Sequence, residues 1–184
     1  MDNGAGSYRR FLDGDDKGIA EIVEGYKDGL ILYLNSYVNN LSAAEELTEE
    51  TFFRLITRKP RFSGKSSFKT WLYAIGRNAA IDFLRRGSRL ADQPIEDMEE
   101  YLSDAQNLER AYIKEEQKIR LHAALQKLST EYRTILWLVF FEEFSNKEAA
   151  MILKKSDRQI KNLLYRAKLS LKSELEKEGF SYEE

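Results

Sequence analysis

Aromatic and basic side chains alternate between residues 61 and 86, a combination that suits unpaired nucleic acid. Rings stack on unpaired bases while Arg and Lys side chains hold the phosphate backbone. The members of this segment are Arg61, Phe62, Lys65, Phe68, Lys69, Trp71, Tyr73, Arg77, Phe83, Arg85 and Arg86. Four apolar positions share one helical face and are expected in the core: Leu72, Ile75, Ala79 and Phe83. The nucleic-acid interpretation therefore depends mainly on the loop 61–69 and the basic helix after it.

A second basic segment, residues 145–172, has the pattern of a helix-turn-helix. It predicts a first helix over 145–153, a turn at Lys154 and Lys155, and a second helix over 156–175. Arg, Gln and Asn can read base edges, whereas Lys and the helix N-terminus at Ser156 suit phosphate. The face available for this is Ser156, Arg158, Gln159, Lys161, Asn162, Tyr165 and Arg166. An ordinary helical hairpin with a solvated basic face is the alternative.

The charges are segregated along the chain. Residues 54–89 hold ten basic side chains and one acidic one, and residues 145–172 hold eight basic and two acidic. The remaining segments are acidic, so the net charge is only −2. Two basic blocks predict two contacts with a polyanion. The nearly neutral total indicates weak DNA binding by the isolated chain and a need for a partner that presents the DNA.

The composition disfavours an enzyme. The 184 residues include no Cys and one His, His122, so thiol nucleophiles, thiolate metal sites and disulfides are excluded. Candidate carboxylates such as Asp82 lie on helices expected to be exposed, with no Gly-rich phosphate loop beside them. We therefore expect no catalytic residue, metal or cofactor. The longest apolar run, residues 135–141, is too short to span a membrane and the N-terminus has no signal-peptide pattern, so a cytoplasmic location is expected.

Hydrophobic periodicity predicts an all-α fold of two helical domains joined by a flexible acidic linker. The expected helices cover residues 19–38, 42–58, 68–86, a segment ending near 128, and 130–141, followed by the two helices of the helix-turn-helix. Capping boxes are expected at Ser42, Ser145 and Ser156. Gly87 and Ser88 are expected to end the fourth helix. The predicted division is a domain over 1–88, a linker over 89–104 and a helix-turn-helix domain over 105–184.

Three stretches in order resemble the extracytoplasmic-function (ECF) family of RNA polymerase sigma factors. Residues 44–52 look like that family's polymerase-binding motif, and residues 68–86 resemble its minus-ten-reading segment. Residues 128–171 resemble its minus-thirty-five-binding domain. The departures include Glu49 in place of the usual Gln and Lys154 where the turn commonly has Gly. Such a Lys must adopt a left-handed backbone or use a different turn.

The resemblance implies a role for each stretch. It places core-polymerase binding on Glu45, Glu46, Leu47, Glu49 and Phe52. It places minus-ten DNA binding on Arg61, Phe62, Lys65, Trp71, Arg77, Asn78, Arg85 and Arg86. The face from Ser156 to Arg166 would enter the minus-thirty-five major groove. The implied partners are core RNA polymerase, promoter DNA and an anti-sigma factor, with no direct membrane insertion by this chain.

Two other interpretations of the function remain open from the sequence. A stand-alone transcriptional regulator would explain the helix-turn-helix, and it would bind duplex promoter DNA tightly without polymerase. It would not explain the acidic stretch at 45–50 or the acidic linker. A purely structural helical adaptor does not require the two separate basic blocks.

Overall fold

The computed structural model describes residues 3–90 and 120–177, and all regular secondary structure in those two ranges is helical. The first range folds into α1 (Asn3–Leu12), α2 (Lys17–Val38), α3 (Leu41–Arg58) and α4 (Phe68–Leu90). The second contains α5 (described over 120–126), α6 (Thr130–Leu136), α7 (Asn146–Leu153) and α8 (Asp157–Lys177). A π-helical turn, Trp137–Phe141, extends α6. The predicted all-α class is confirmed.

The N-terminal half is built around α2, which packs against α1, α3 and α4. Its inward face is fully buried at Leu30, Tyr33 and Leu34. These residues recur at three- and four-residue steps, which is why one stripe of the helix can face the core. The arrangement leaves the outer face of α3 and residues 82–87 of α4 exposed to solvent.

The predicted N-cap of α3 is wrong by two residues. Asn40, not Ser42, caps the helix: its backbone is extended and its side-chain oxygen accepts a hydrogen bond from the Ala43 amide at 2.9 Å. Asn39 adopts a left-handed conformation and ends α2. Two adjacent Asn residues thus end one helix and begin the next, because Asn tolerates the left-handed region and is also a strong N-cap. Ser42 lies inside the first turn.

The predicted end of α4 is also wrong. The helix continues through Gly87 and Ser88 to Leu90, two residues into the range predicted as linker. A glycine ends a helix when it takes the left-handed conformation, and Gly87 is not among the glycines with positive φ. Residues 91–104 of the predicted linker, the start of the predicted helix that ends near 128, and the tail beyond 177 lie outside the described residues. The domain boundaries therefore stay a prediction.

The sequence pattern did not reveal α1, whose glycines at positions 4 and 6 lower helix propensity. Tertiary packing stabilises it instead. Tyr8 and Phe11 are buried against the rest of the N-terminal half. A Cβ placed on Gly18 of α2 would lie 2.2 Å from the Ser7 carbonyl oxygen, so α1 and α2 approach closely only because position 18 has no side chain.

Two glycine substitutions in α2 are expected to have opposite effects on stability. Gly18→Ala should lower the free energy of unfolding by about 1–3 kcal/mol, since the new methyl group would meet the α1 backbone. Gly25→Ala, with nothing within 4 Å of its ideal Cβ, should raise it by up to about 1 kcal/mol through helix propensity. Urea unfolding of the two variants measures both changes. Equal shifts would contradict the close approach of α1 and α2.

Helix ends in the C-terminal half agree closely with the sequence prediction. Ser129 caps α6, and Ser145 forms a capping box with Glu148 at the start of α7. The third predicted box is also present, because Ser156 and Gln159 exchange hydrogen bonds between side chain and backbone. Lys154 takes the left-handed conformation with φ 53°. The turn therefore keeps the glycine-type geometry although its residue is Lys.

The two halves pack directly against each other. Helix α2 contacts α6, and α4 contacts α7. Arg133 of α6 is 9% exposed and donates a hydrogen bond from Nε to the Ser36 carbonyl oxygen of α2 at 2.7 Å. The buried apolar residues of both halves belong to one continuous cluster. No pattern in the sequence predicts this packing.

Candidate nucleic-acid interface

The outer face of α3 is acidic. Glu45, Glu46 and Glu49 are exposed, whereas Leu47 and Phe52 are 3% and 6% exposed and face the core. All five predicted polymerase-binding residues thus lie on one helix, but only the three carboxylates reach the surface. Phe53 is 63% exposed and Ile56 42%, so two apolar side chains of the same helix also lie on the surface.

A groove runs between α3 and the second half of α4. It has a volume of about 480 Å³ and is lined by Glu46, Leu47, Glu50, Phe83, Arg86 and Gly87. The expectation that Phe83 is a core residue is wrong, because this ring is 38% exposed. Residues 82–87, in the last turns of α4, are all exposed. The groove places the acidic α3 face next to Arg86 of the basic helix.

The aromatic residues of the predicted single-strand site pack chiefly on one another. Phe62, Phe68 and Trp71 have ring centroids 5.2–5.7 Å apart, and Tyr8 of α1 contacts the last two. Phe68 is fully buried, and Phe62 and Trp71 are half-buried. The rings therefore act first as the hydrophobic support of the loop before α4. Only the outer edges of Phe62 and Trp71 remain for contact with a base.

The loop itself presents the basic side chains. Arg61 and Lys65 are exposed, and Gly64 has φ 70°, a conformation that glycine adopts without strain. The Tyr8 hydroxyl donates to the Pro60 carbonyl oxygen at 2.8 Å and fixes the start of the loop. The Ser67 hydroxyl accepts from the Thr70 amide at 3.1 Å and fixes its end at the first turn of α4. The loop is thus anchored at both ends with its two cations outward.

The other predicted minus-ten residues separate into two groups on α4. Arg85 and Arg86 are exposed and line a cavity of about 390 Å³ together with Arg54 and Asp82. Arg77 instead turns toward the C-terminal half, where it lines a cavity with Tyr37, Thr134 and others. Asn78, the next residue along α4, is half-buried. The structure therefore brings Arg85 and Arg86 together but places Arg77 against the C-terminal half of the chain.

The helix-turn-helix presents all of its predicted face to solvent. Helices α7 and α8 pack on each other, with Ala149 and Ile160 fully buried. The exposed residues of α8 and its cap are Ser156, Arg158, Gln159, Lys161, Asn162, Tyr165 and Arg166. The side-chain oxygen of Gln159 accepts a hydrogen bond from the Ser156 amide at 2.8 Å, so its amide nitrogen is the atom left to read a base. The face is basic and directed outward.

Within residues 3–90 and 120–177, no group of three His, Cys, Asp or Glu side chains is placed to hold a metal ion. In the same part of the chain, no helix is both long and apolar enough to cross a membrane.

Comparison with known proteins identifies both halves. Residues 22–90 match the model for Sigma-70 region 2, and residues 118–171 match the model for Sigma-70, region 4. Together the two matches cover most of the chain. They coincide with the helices that present the acidic α3 face, the basic α4 segment and the helix-turn-helix.

Individual relatives agree with these matches. The ECF RNA polymerase sigma factor SigM of Bacillus subtilis is 31% identical over 160 residues, which is 84% of this chain and 93% of the relative. The RNA polymerase sigma factor SigV of the same organism is 32% identical over 146 residues, or 79% of this chain and 84% of the relative. The sigma factor RpoE from Bartonella quintana, solved with the anti-sigma factor NepR, has the same fold, with a TM-score of 0.67, 24% identity, and coverage of 87% of this chain and 98% of that one.

The two matched regions follow each other in the same order as the two helical halves of the structure. The chain belongs to the ECF family of RNA polymerase sigma factors, which bind core RNA polymerase and direct promoter recognition and transcription initiation.

Proposed function

We propose that the exposed acidic face of α3, formed by Glu45, Glu46 and Glu49, is the surface that binds core RNA polymerase. The observation that carries this assignment is the separation of charge between α3 and the two basic surfaces. Complementary charge steers association and fixes orientation. An acidic helix therefore suits a partner with a basic surface, and it would repel DNA, which is also negatively charged. The exposed side chains of Phe53 and Ile56 add an apolar surface on the same helix. Leu47 and Phe52 hold the helix in place from beneath.

The loop before α4 and the basic end of that helix form the proposed minus-ten surface. Arg61 and Lys65 hold the backbone of the melted strand, and the half-buried rings of Phe62 and Trp71 provide an apolar wall for a flipped base. Arg85 and Arg86 continue the basic track. Arg77 and Asn78, both half-buried on α4, complete the proposed set.

The exposed face of α8 is the proposed minus-thirty-five surface. Arg158, Asn162 and Arg166 are suited to base edges in the major groove, and Lys161 to phosphate. Ser156 and Gln159 cap the helix by exchanging hydrogen bonds, and the other N–H groups of its first turn suit a DNA phosphate. Tyr165 is 65% exposed on the same face and adds an aromatic contact to the duplex.

The chain acts as a transcription initiation factor rather than as an enzyme, and it works in the cytoplasm. The sigma factor RpoE, which has the same fold, was solved in complex with the anti-sigma factor NepR. On this basis an anti-sigma factor is also a partner of this chain. It would act by covering the α3 or α8 surface.

Co-purification with bacterial core RNA polymerase, followed by run-off transcription on fragmented genomic DNA, tests the proposed function. We expect a one-to-one complex and transcripts that start at discrete positions. The control is core polymerase alone, which should give neither. Failure of the folded chain to bind core polymerase, together with tight binding of duplex DNA by the chain alone, would support the autonomous regulator instead.

A further inference from the structure

A third arginine shares the cavity that Arg85 and Arg86 line near the end of α4. Arg54 belongs to α3, the helix with the acidic outer face, and supplies the α3 side of this cavity of about 390 Å³. The lining also includes Asp82, so three guanidinium groups accompany one carboxylate. The cavity therefore has a net positive charge. A group of arginines in this arrangement suits the phosphate backbone of a nucleic acid.

Helix periodicity places Arg54 on the side of α3 that faces α4. Leu47, Glu50 and Arg54 recur at three- and four-residue steps, so they share one side of the helix. Leu47 and Glu50 line the groove together with Phe83, whereas Arg54 lines the arginine cavity. Arg86 lines both, so the groove and the cavity adjoin between the two helices. The space between α3 and α4 is therefore acidic and apolar at one end and basic at the other.

An ion pair within α3 orients the Arg54 side chain. Its guanidinium group binds the carboxylate of Glu50, four residues earlier, and the two side chains are 23% and 36% exposed. A partly exposed pair at this spacing contributes little to stability. A phosphate can instead accept two parallel, charge-assisted hydrogen bonds from one guanidinium group. A phosphate in the cavity can therefore replace Glu50 as the partner of Arg54 at little cost to the fold.

The cavity lies along α4 from the rings proposed to contact a flipped base. Trp71 and Arg85 belong to the same helix, and the 14 steps between them correspond to about 21 Å along its axis. Successive nucleotides of one strand rise by about 3.4 Å in a duplex, so about six nucleotides cover this distance. A strand that passes from the rings to the cavity therefore places a phosphate there about six nucleotides from the flipped base.

We propose that Arg54 is a further DNA-binding residue, which joins Arg85 and Arg86 in binding one backbone phosphate of the promoter between α3 and α4. Helix α3 then has two functional sides, with Glu45 and Glu49 on its outer face and Arg54 on the side toward α4. The carboxylates repel the DNA backbone and the guanidinium groups attract it, so the boundary between them determines where the strand passes α3. This inference rests on the proposed function, which takes Arg85 and Arg86 as minus-ten residues.

Two variants that remove the same ion pair test this assignment. Arg54→Gln deletes the cation, whereas Glu50→Gln keeps Arg54 and deletes the carboxylate that competes for it. On a forked promoter fragment with an unpaired minus-ten strand, taken from the run-off transcription, we expect the Arg54→Gln holoenzyme to bind about tenfold more weakly. Its salt slope should fall by about 1, as for the loss of one phosphate contact. The Glu50→Gln holoenzyme should bind at least as tightly as the parent.

Two comparisons exclude other roles for Arg54. Arg9→Gln removes one exposed positive charge on α1 and should leave both the fork affinity and the salt slope unchanged. Equal weakening by Arg54→Gln and Glu50→Gln would show that the ion pair acts only as a support for the helix, and would overturn the proposal. Weaker binding of Arg54→Gln to core polymerase, with unchanged fork binding by the assembled holoenzyme, would assign Arg54 to polymerase docking and would also overturn it.

Neutral methylphosphonate groups, placed one at a time along the fork, locate the phosphate. In the parent we expect one position, about six nucleotides from the flipped base, at which the replacement weakens binding. The same replacement should have no further effect on Arg54→Gln, because the residue and the phosphate are the two partners of one contact. Independent, additive losses at every position would contradict a direct contact between Arg54 and a phosphate.

The site can also be tested where the proposed function fails. If core polymerase binds none of the proteins, that function is wrong, and the parent, Arg54→Gln and Arg9→Gln chains are titrated alone with a duplex oligonucleotide at several low salt concentrations. A salt slope lower by about 1 for Arg54→Gln alone would support the phosphate site without the polymerase. Equal slopes for the three chains would refute the site as well.

Discussion

Glu45→Lys combined with Glu46→Lys is expected to weaken binding to core RNA polymerase by at least about 100-fold while the fold is retained. The two carboxylates are exposed on the outer face of α3, so replacing them removes no core contact. The double reversal changes the local charge by four units and turns attraction to a basic partner surface into repulsion. Like-charge juxtaposition across an interface costs several kcal/mol. Titration of labelled core polymerase with the variant measures the change.

A matched control distinguishes docking from a general loss of negative charge. Glu24→Lys with Asp28→Lys makes the same charge change on the exposed face of α2 and should leave the polymerase Kd within about threefold of the parent. Both double variants should keep the thermal midpoint of the parent to within a few degrees, since surface changes rarely alter stability by more than about 0.5 kcal/mol. Equal losses of affinity in the two variants would refute the assignment of α3.

Much of the fold could be predicted because the signals were local. The capping boxes at Ser145 and Ser156 were identified from residue types three positions apart, and the structure forms both. Where several local signals competed, the prediction failed: Asn40 caps α3 although Ser42 offers a better capping-box pattern. The helix continues through Gly87 and Ser88 because Gly87 does not adopt the left-handed conformation that ends a helix. Helix α1 has weak propensity of its own and depends on Gly18 for its packing site.

The candidate site was predicted as residue types but not as an arrangement. Sequence alone placed Leu47 and Phe52 with the acidic residues of α3, yet helix geometry turns them inward and brings Phe53 outward. The exposed face of α8 could be anticipated from the stripe that contains Ile160 and Ala167, both now fully buried. The packing of the two halves could not, because it depends on residues about 70–100 positions apart, such as Tyr73 with Glu142 and Ser36 with Arg133. No local pattern encodes such pairs.

Arg158→Ala combined with Arg166→Ala is expected to weaken promoter binding by the holoenzyme about 100-fold while sparing the affinity for core polymerase. Both guanidinium groups lie on the exposed face of α8, and the helix stripe that faces the core does not include them. A good contact from Arg to a base edge contributes roughly 1–3 kcal/mol, and each lost phosphate contact lowers the salt slope of binding by about 1. Gel-shift titrations of the holoenzyme at several salt concentrations, on fragments with and without the minus-thirty-five element, measure both quantities.

The control for this variant removes two exposed cations far from α8. Arg9→Ala with Lys17→Ala, on α1 and α2, should leave the promoter affinity and its salt slope unchanged. The variant at 158 and 166 should lose its disadvantage on a fragment that lacks the minus-thirty-five element, because the remaining contacts there come from the N-terminal half. Equal weakening on both fragments would mean that the two arginines supply only nonspecific attraction to DNA. A solvated basic face would lose affinity equally on both fragments, whereas a helix that contacts base edges would lose affinity only on the fragment with the minus-thirty-five element. This comparison therefore decides between the two interpretations of α8.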